Sequence, residues 1–79
     1  MGSAGNEVKL AQRLARFLKA EWKRADVTYE ELATRLSKMG LPETRASVSN
    51  KISRGGFPAA FFIAALKAIG VQQMRLEDV

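Results

Sequence analysis

Cysteine and histidine are both absent from this 79-residue chain, and the two absences remove a good deal of chemistry. Without cysteine there is no disulfide framework, no thiol nucleophile and no thiolate metal site; without histidine the commonest general base and metal ligand is missing. Acid is scarce as well. Eight Asp and Glu stand against thirteen Lys and Arg, which gives a net charge of +5 and a pI near 10.1. In so small a chain that balance favours a polyanion as partner: DNA, RNA, or an acidic protein or membrane surface.

No charged-then-apolar leader opens the chain, and Met1-Gly2-Ser3-Ala4-Gly5-Asn6 lacks the Ser or Thr that a myristoylation signal needs at its sixth position. The expectation is a cytoplasmic protein with a short flexible start at residues 1–5, followed by one domain over residues 6–79. A domain of that size lies near the lower limit for a self-sufficient core, so its stability should be only a few kcal/mol. The acidic pairs Glu30-Glu31 and Glu77-Asp78 are sequence neighbours, which point in different directions on a helix and cannot flank one substrate. Gly55-Gly56 lies between two helical patterns, not between a strand and a helix, and so is no phosphate loop. No enzyme, cofactor or metal is expected.

The most apolar stretch is Phe57 to Val71, FPAAFFIAALKAIGV. Between Pro58, suited to a first helical turn, and Gly70, suited to a left-handed cap, it predicts a helix on which Lys67 is the only charge. It falls short of the ~20 apolar residues that a bilayer requires. A helix apolar nearly all round is expected to be enclosed, with Ala60 and Ala64 closely packed by a neighbour or presented to a second copy.

Three further helices are arranged before it. From a plausible cap at Asn6 to Ala25 there is no Gly or Pro, and Val8, Ala11, Leu14, Ala15, Leu18 and Trp22 recur at helical spacing as an inward stripe. Lys9, Arg13, Arg16, Lys19, Lys23 and Arg24 take the other faces, either as an ordinary solvated surface or as the largest basic surface of the chain. Thr28 with Glu31 predicts a capping box, and Val27 with Leu32 a hydrophobic staple. Leu32, Ala33, Leu36 and Met39 should face inward, and Gly40 should end this second helix. Thr44 is the expected cap of a third helix, with Val48 and Ile52 inward and Gly55-Gly56 closing it. The tail offers Val71, Met74 and Leu76 for packing, in a short fifth helix at most.

With Val48 and Ile52 inside, Ala46, Ser47, Asn50, Ser53 and Arg54 form the outer face of the third helix, with Ser49 and Lys51 at its edges. That face is short, polar, basic and nearly free of carboxylates, whereas a solvated helix surface ordinarily mixes Glu with Lys. Asn pairs bidentately with adenine, Arg with guanine, and small residues let the backbone approach a major groove. The plainer alternative is a short element built from weak helix formers.

The order helix, turn, helix with a polar outer face, Arg-Gly, apolar helix resembles the phage-repressor (Cro/cI-like) helix-turn-helix family. The likeness rests on Lys23-Arg24-Ala25, Thr28-Tyr29-Glu30-Glu31-Leu32-Ala33-Thr34-Arg35-Leu36, Lys51-Ile52-Ser53-Arg54-Gly55 and Leu66-Lys67-Ala68-Ile69-Gly70-Val71. It also resembles small uncharacterised bacterial domains bearing Asn-Lys-Ile-Ser-Arg-Gly. The resemblance implies an all-α, lambda-repressor-like bundle of four to five helices that braces on Thr28 to Leu36 and inserts Thr44 to Arg54 into the major groove. The sequence departs from the pattern in having Tyr29 where the family usually has Gln, an interval from Leu36 to Val48 about a turn longer, and a register between Val48 and Arg54 that differs by one.

The function expected on these grounds is sequence-specific binding of double-stranded DNA by a transcriptional or plasmid- and phage-type regulator, nucleoid-associated. Ser47, Asn50 and Arg54 are the expected base contacts; Lys23, Arg24, Thr28, Tyr29, Thr44, Arg45, Ser49 and Lys51 are the expected phosphate contacts. A homodimer through helix 57–70 or the tail would let two heads read half-sites ~34 Å apart. The alternative is a protein-interaction adaptor on the same scaffold.

Overall fold

Two threonines start the middle helices. Thr28 is extended and its Oγ1 accepts from the Glu31 amide at 3.0 Å; Thr44 is extended and accepts from the Ser47 amide at 3.1 Å. Each satisfies a donor that a helix start leaves unpaired. The computed structural model describes residues 4–79, with side chains from Glu7 onward. Its helices are α1 (Ala4–Ala25), α2 (Tyr29–Lys38), α3 (Arg45–Arg54) and α4 (Ala59–Ala68), followed by a 3-10 turn at Leu76–Asp78. No strand occurs among the described residues, and the chain is a small all-α bundle.

Ala4 and Gly5 are already helical, so α1 begins before the cap expected at Asn6, while Met1 to Ser3 lie outside the described residues. At α2 only half of the expected capping box forms. The Glu31 carboxylate turns away from Thr28 and pairs with Arg35 at 3.0 Å, one turn along the same helix. The complete box is at α3, where the Thr44 amide also donates to Ser47 Oγ at 2.8 Å. Pro58 caps α4 instead of standing inside its first turn.

α2 and α4 end alike. Leu41 N donates to the Leu36 carbonyl and Gly40 N to Ser37; Val71 N donates to Leu66 and Gly70 N to Lys67. This is the Schellman arrangement, with Gly40 at φ 90 and Gly70 at φ 89, a left-handed backbone that only glycine adopts without strain.

The core joins all four helices: Leu18 and Trp22 from α1, Leu32, Ala33 and Leu36 from α2, Val48 and Ile52 from α3, and Phe61, Phe62, Ala64, Ala65 and Leu66 from α4. Each fully buried aliphatic or aromatic side chain contributes about 1.5–3 kcal/mol. α2 packs on both α3 and α4, and α1 packs on α4. Arg35 ties α2 to α4 by donating from Nη1 to the Ala68 carbonyl at 2.8 Å, at the negative end of the α4 dipole. Trp22 donates its indole N–H to the Val27 carbonyl, and its ring meets Tyr29 edge to face at 4.3 Å between centroids.

Three inward assignments fail. Val8 is 53% exposed because the first turns of α1 run past the bundle, where Leu10 is exposed too. Met39 is exposed as the C-cap residue of α2, where the helix ends, and Leu76 is 80% exposed in the terminal turn. Val71 and Met74 do pack on the core, as half-buried side chains. Nor is α4 enclosed all round: Ala64 is buried, but Ala59, Ala60 and Ile63 share an exposed face with Lys67. No helix among the described residues is long and apolar enough to cross a membrane.

Candidate nucleic-acid interface

Val48 and Ile52, one turn apart, are fully buried, and they fix which side of α3 meets solvent. Opposite them Ala46, Asn50, Ser53 and Arg54 are exposed. Neither Asn50 nor Arg54 forms a side-chain hydrogen bond or ion pair among the described residues. Two groups able to pair bidentately with base edges therefore project from the same face, flanked by small side chains.

What holds α3 in that orientation is the six-residue connection from α2, and above all Glu43. Its backbone is gripped on both sides by Ser37 of α2: the Glu43 amide donates to Ser37 Oγ at 3.3 Å, and that hydroxyl donates to the Glu43 carbonyl at 3.2 Å. Its carboxylate accepts from Ser47 Oγ and Lys51 Nζ, both at 2.5 Å, along successive turns of α3. Lys51 in turn lies over the Phe61 ring of α4, 5.0 Å from the centroid. With its side chain only 8% exposed, burial by itself would raise the Glu43 pKa. The hydrogen bonds from Lys51 and Ser47 and the Lys51 charge outweigh that, so the carboxyl ionises below its ordinary 4.5.

Three residues expected at the DNA surface thus have polar groups engaged by other groups of the chain. Ser47 is half-buried, with its hydroxyl shared between the α3 cap and Glu43. Thr44 spends its hydroxyl on that cap, and Lys51 is neutralised by Glu43. The Glu43 carboxylate, next to the α3 cap in sequence, is thereby held against the half-buried Ser47 and Lys51 and away from the exposed face of the helix. Ser49 is half-buried, and exposed Arg24 pairs with Glu21 at 2.9 Å.

Four others come together. A groove of about 710 Å³ runs between the end of α1, the α1–α2 turn and the start of α3, and Lys23, Thr28, Tyr29 and Arg45 all line it. Lys19, which was not among the expected contacts, lines it too, as do Asp26 and Glu30. Its position one turn before Lys23 on a helix was the available signal. Asp26, at φ 58, makes the left-handed exit from α1 that brings the capped start of α2 to this groove. The groove offers three cations, the positive end of α2 and a phenol, an anion-binding set tempered by two carboxylates. Glu30 and Arg45 also border a second hollow, between α2 and the start of α3.

Compared with known proteins, residues 10–74 match one family, described as Domain of unknown function (DUF6471). No curated protein and no solved structure matches the chain.

Proposed function

The chain belongs to that family of unknown function, and we propose that this member of it binds double-stranded DNA, laying the outer face of α3 in the major groove. The observation that carries the reading is the pairing of Asn50 and Arg54 on a capped helix whose exposed face has no carboxylate, beside a groove lined by Lys19, Lys23 and Arg45. Asn50 and Arg54 read bases, and Ala46 and Ser53 let the helix approach. Lys23, Arg45, Tyr29 and the amides at the start of α2 hold backbone phosphates on either side. With no catalysis, such a module acts as a transcriptional or plasmid- and phage-type regulator. A dimer would present two such helices to successive half-sites, and the exposed Ala59, Ala60 and Ile63 on α4 are the surface for it; a sedimentation mass that stays monomeric at every concentration counts against that arrangement.

Fluorescence anisotropy of a labelled random duplex, titrated with salt, is the test. The cations left unpaired around α3 are Lys19, Lys23, Arg45 and Arg54, so these four alone should make log K fall against log salt with a slope of about −3 to −4, and every further phosphate contact steepens it. No binding at low salt, or a flat slope, abandons the reading in favour of a protein-interaction adaptor. That second reading has its own support in Met39 and Leu41, two exposed apolar side chains in the connection beside α3.

A further inference from the structure

Three exposed cations of α1, Lys9, Arg13 and Arg16, have no part in the α3 reading. Lys9, Arg13, Arg16, Lys19 and Lys23 follow one another at intervals of three or four residues, which puts all five on one side of the helix over roughly 20 Å. All are exposed, and none has a carboxylate partner: the ion pairs among the described residues use Arg24, Arg35, Lys51 and Arg75. An ordinary solvated helix face intersperses acids, which relieve the repulsion that like charges at this spacing generate. Here the only acids on the described part of α1 are Glu7 and Glu21, off the stripe, and Glu21 is occupied by Arg24. The far end of the stripe is continuous with the candidate interface, because Lys19 and Lys23 line the same groove as Arg45 at the start of α3.

We propose that this side of α1 is a phosphate track, which carries the sugar-phosphate backbone of duplex DNA away from the segment that α3 reads. The inference rests on the DNA-binding reading of α3 and adds Lys9, Arg13 and Arg16 to the interface. Two features of the fold favour a nucleic-acid duplex over other polyanions. A helix that lies on a membrane must sink its apolar side into the lipid, but Ala15, Leu18 and Trp22 of α1 are buried in the bundle. Single-stranded RNA is held largely by stacking on exposed aromatics, and among the described residues every aromatic side chain is buried or half-buried. Charge complementarity with a regular row of phosphates is what remains.

The experiment compares the full chain with R13Q/R16Q and with R75Q, which removes a charge from an exposed position off the track. Glutamine keeps helix propensity, and circular dichroism checks the fold of each variant. Salt titrations on a random duplex of about 24 base pairs should give R13Q/R16Q a slope shallower by about 2, since each lost phosphate contact removes ~0.9, and leave R75Q at the wild-type slope. If R13Q/R16Q keeps the wild-type slope, or if R75Q loses as much per charge removed, the track is refuted while DNA binding stands. If the wild-type chain binds no duplex at low salt, the reading of α3 falls and the track with it. Binding to phosphatidylserine vesicles that is lost in R13Q/R16Q, with no duplex binding, reassigns the stripe to a lipid surface and overturns the proposal.

Discussion

Lys51 donates to the carboxylate of Glu43 from two turns into α3 and rests its ammonium over Phe61 of α4, so one lysine joins the connection, the third helix and the core. The pair is partly buried, with the Lys51 side chain 26% exposed, and it competes directly with any use of Lys51 on a phosphate.

The Glu43 charge should make stability depend on acid. Its folded pKa lies below the ordinary 4.5, so the contribution is fully present above that pH and is lost as pH falls through the folded value. Urea midpoints of wild type and Glu43→Gln should differ most near neutral pH and converge on acidification below 4.5. Glu43→Ala, which leaves Lys51 and Ser47 without their acceptor, should cost about 1–3 kcal/mol at pH 7.

Asn50→Ala combined with Arg54→Ala should leave the urea midpoint nearly unchanged, since both side chains are exposed and unpaired and alanine favours a helix. Anisotropy with matched and mismatched duplexes should show about 1–3 kcal/mol of discrimination lost per base contact. Unfolding of this variant would contradict the orientation of α3.

Phe62→Ala should be near the limit of tolerance. The residue is buried at the meeting of the helices and stacks on Phe57 with centroids 6.0 Å apart. A loss of about 3–5 kcal/mol would consume much of the stability of so small a domain, and thermal melting by circular dichroism should show a broad or absent transition. Ile63→Ala, next to it but exposed, should shift the melt only slightly.

Arg35→Ala should destabilise by about 1–2 kcal/mol through loss of the hydrogen bond to the Ala68 carbonyl. Amide exchange should respond at the end of α4, 33 residues away in sequence, as well as in α2.

The helices were legible because their signals are local. Thr28, Thr44, Gly40 and Gly70 fix ends through backbone hydrogen bonds to residues within five positions, and Val48 with Ile52 sets a buried side through a period of 3.6. The inward stripe of α1 was right at Leu18 and Trp22 and wrong at Val8, because periodicity gives the direction of a side chain and not how far the neighbouring helices extend.

The candidate surface was legible only in part. Asn50 and Arg54 follow from the same periodicity as the core, and the structure leaves them exposed. Ser47, Thr44 and Lys51 looked equally available in sequence, yet a carboxylate from the preceding connection engages Ser47 and Lys51 directly and Thr44 completes the cap. Lys19 joined Lys23 and Arg45 only once α1, the α1–α2 turn and α3 were set side by side.

The chain alone determined an all-α domain, the positions of its caps and its excess of positive charge, since capping, period and composition depend on neighbours in sequence. Tertiary packing decided which polar groups are spent inside and which remain for a partner. That choice is made by contacts between segments that no local pattern encodes, Glu43 against Lys51 and Arg35 against Ala68, and by packing that sets Lys19 and Arg45 along one groove.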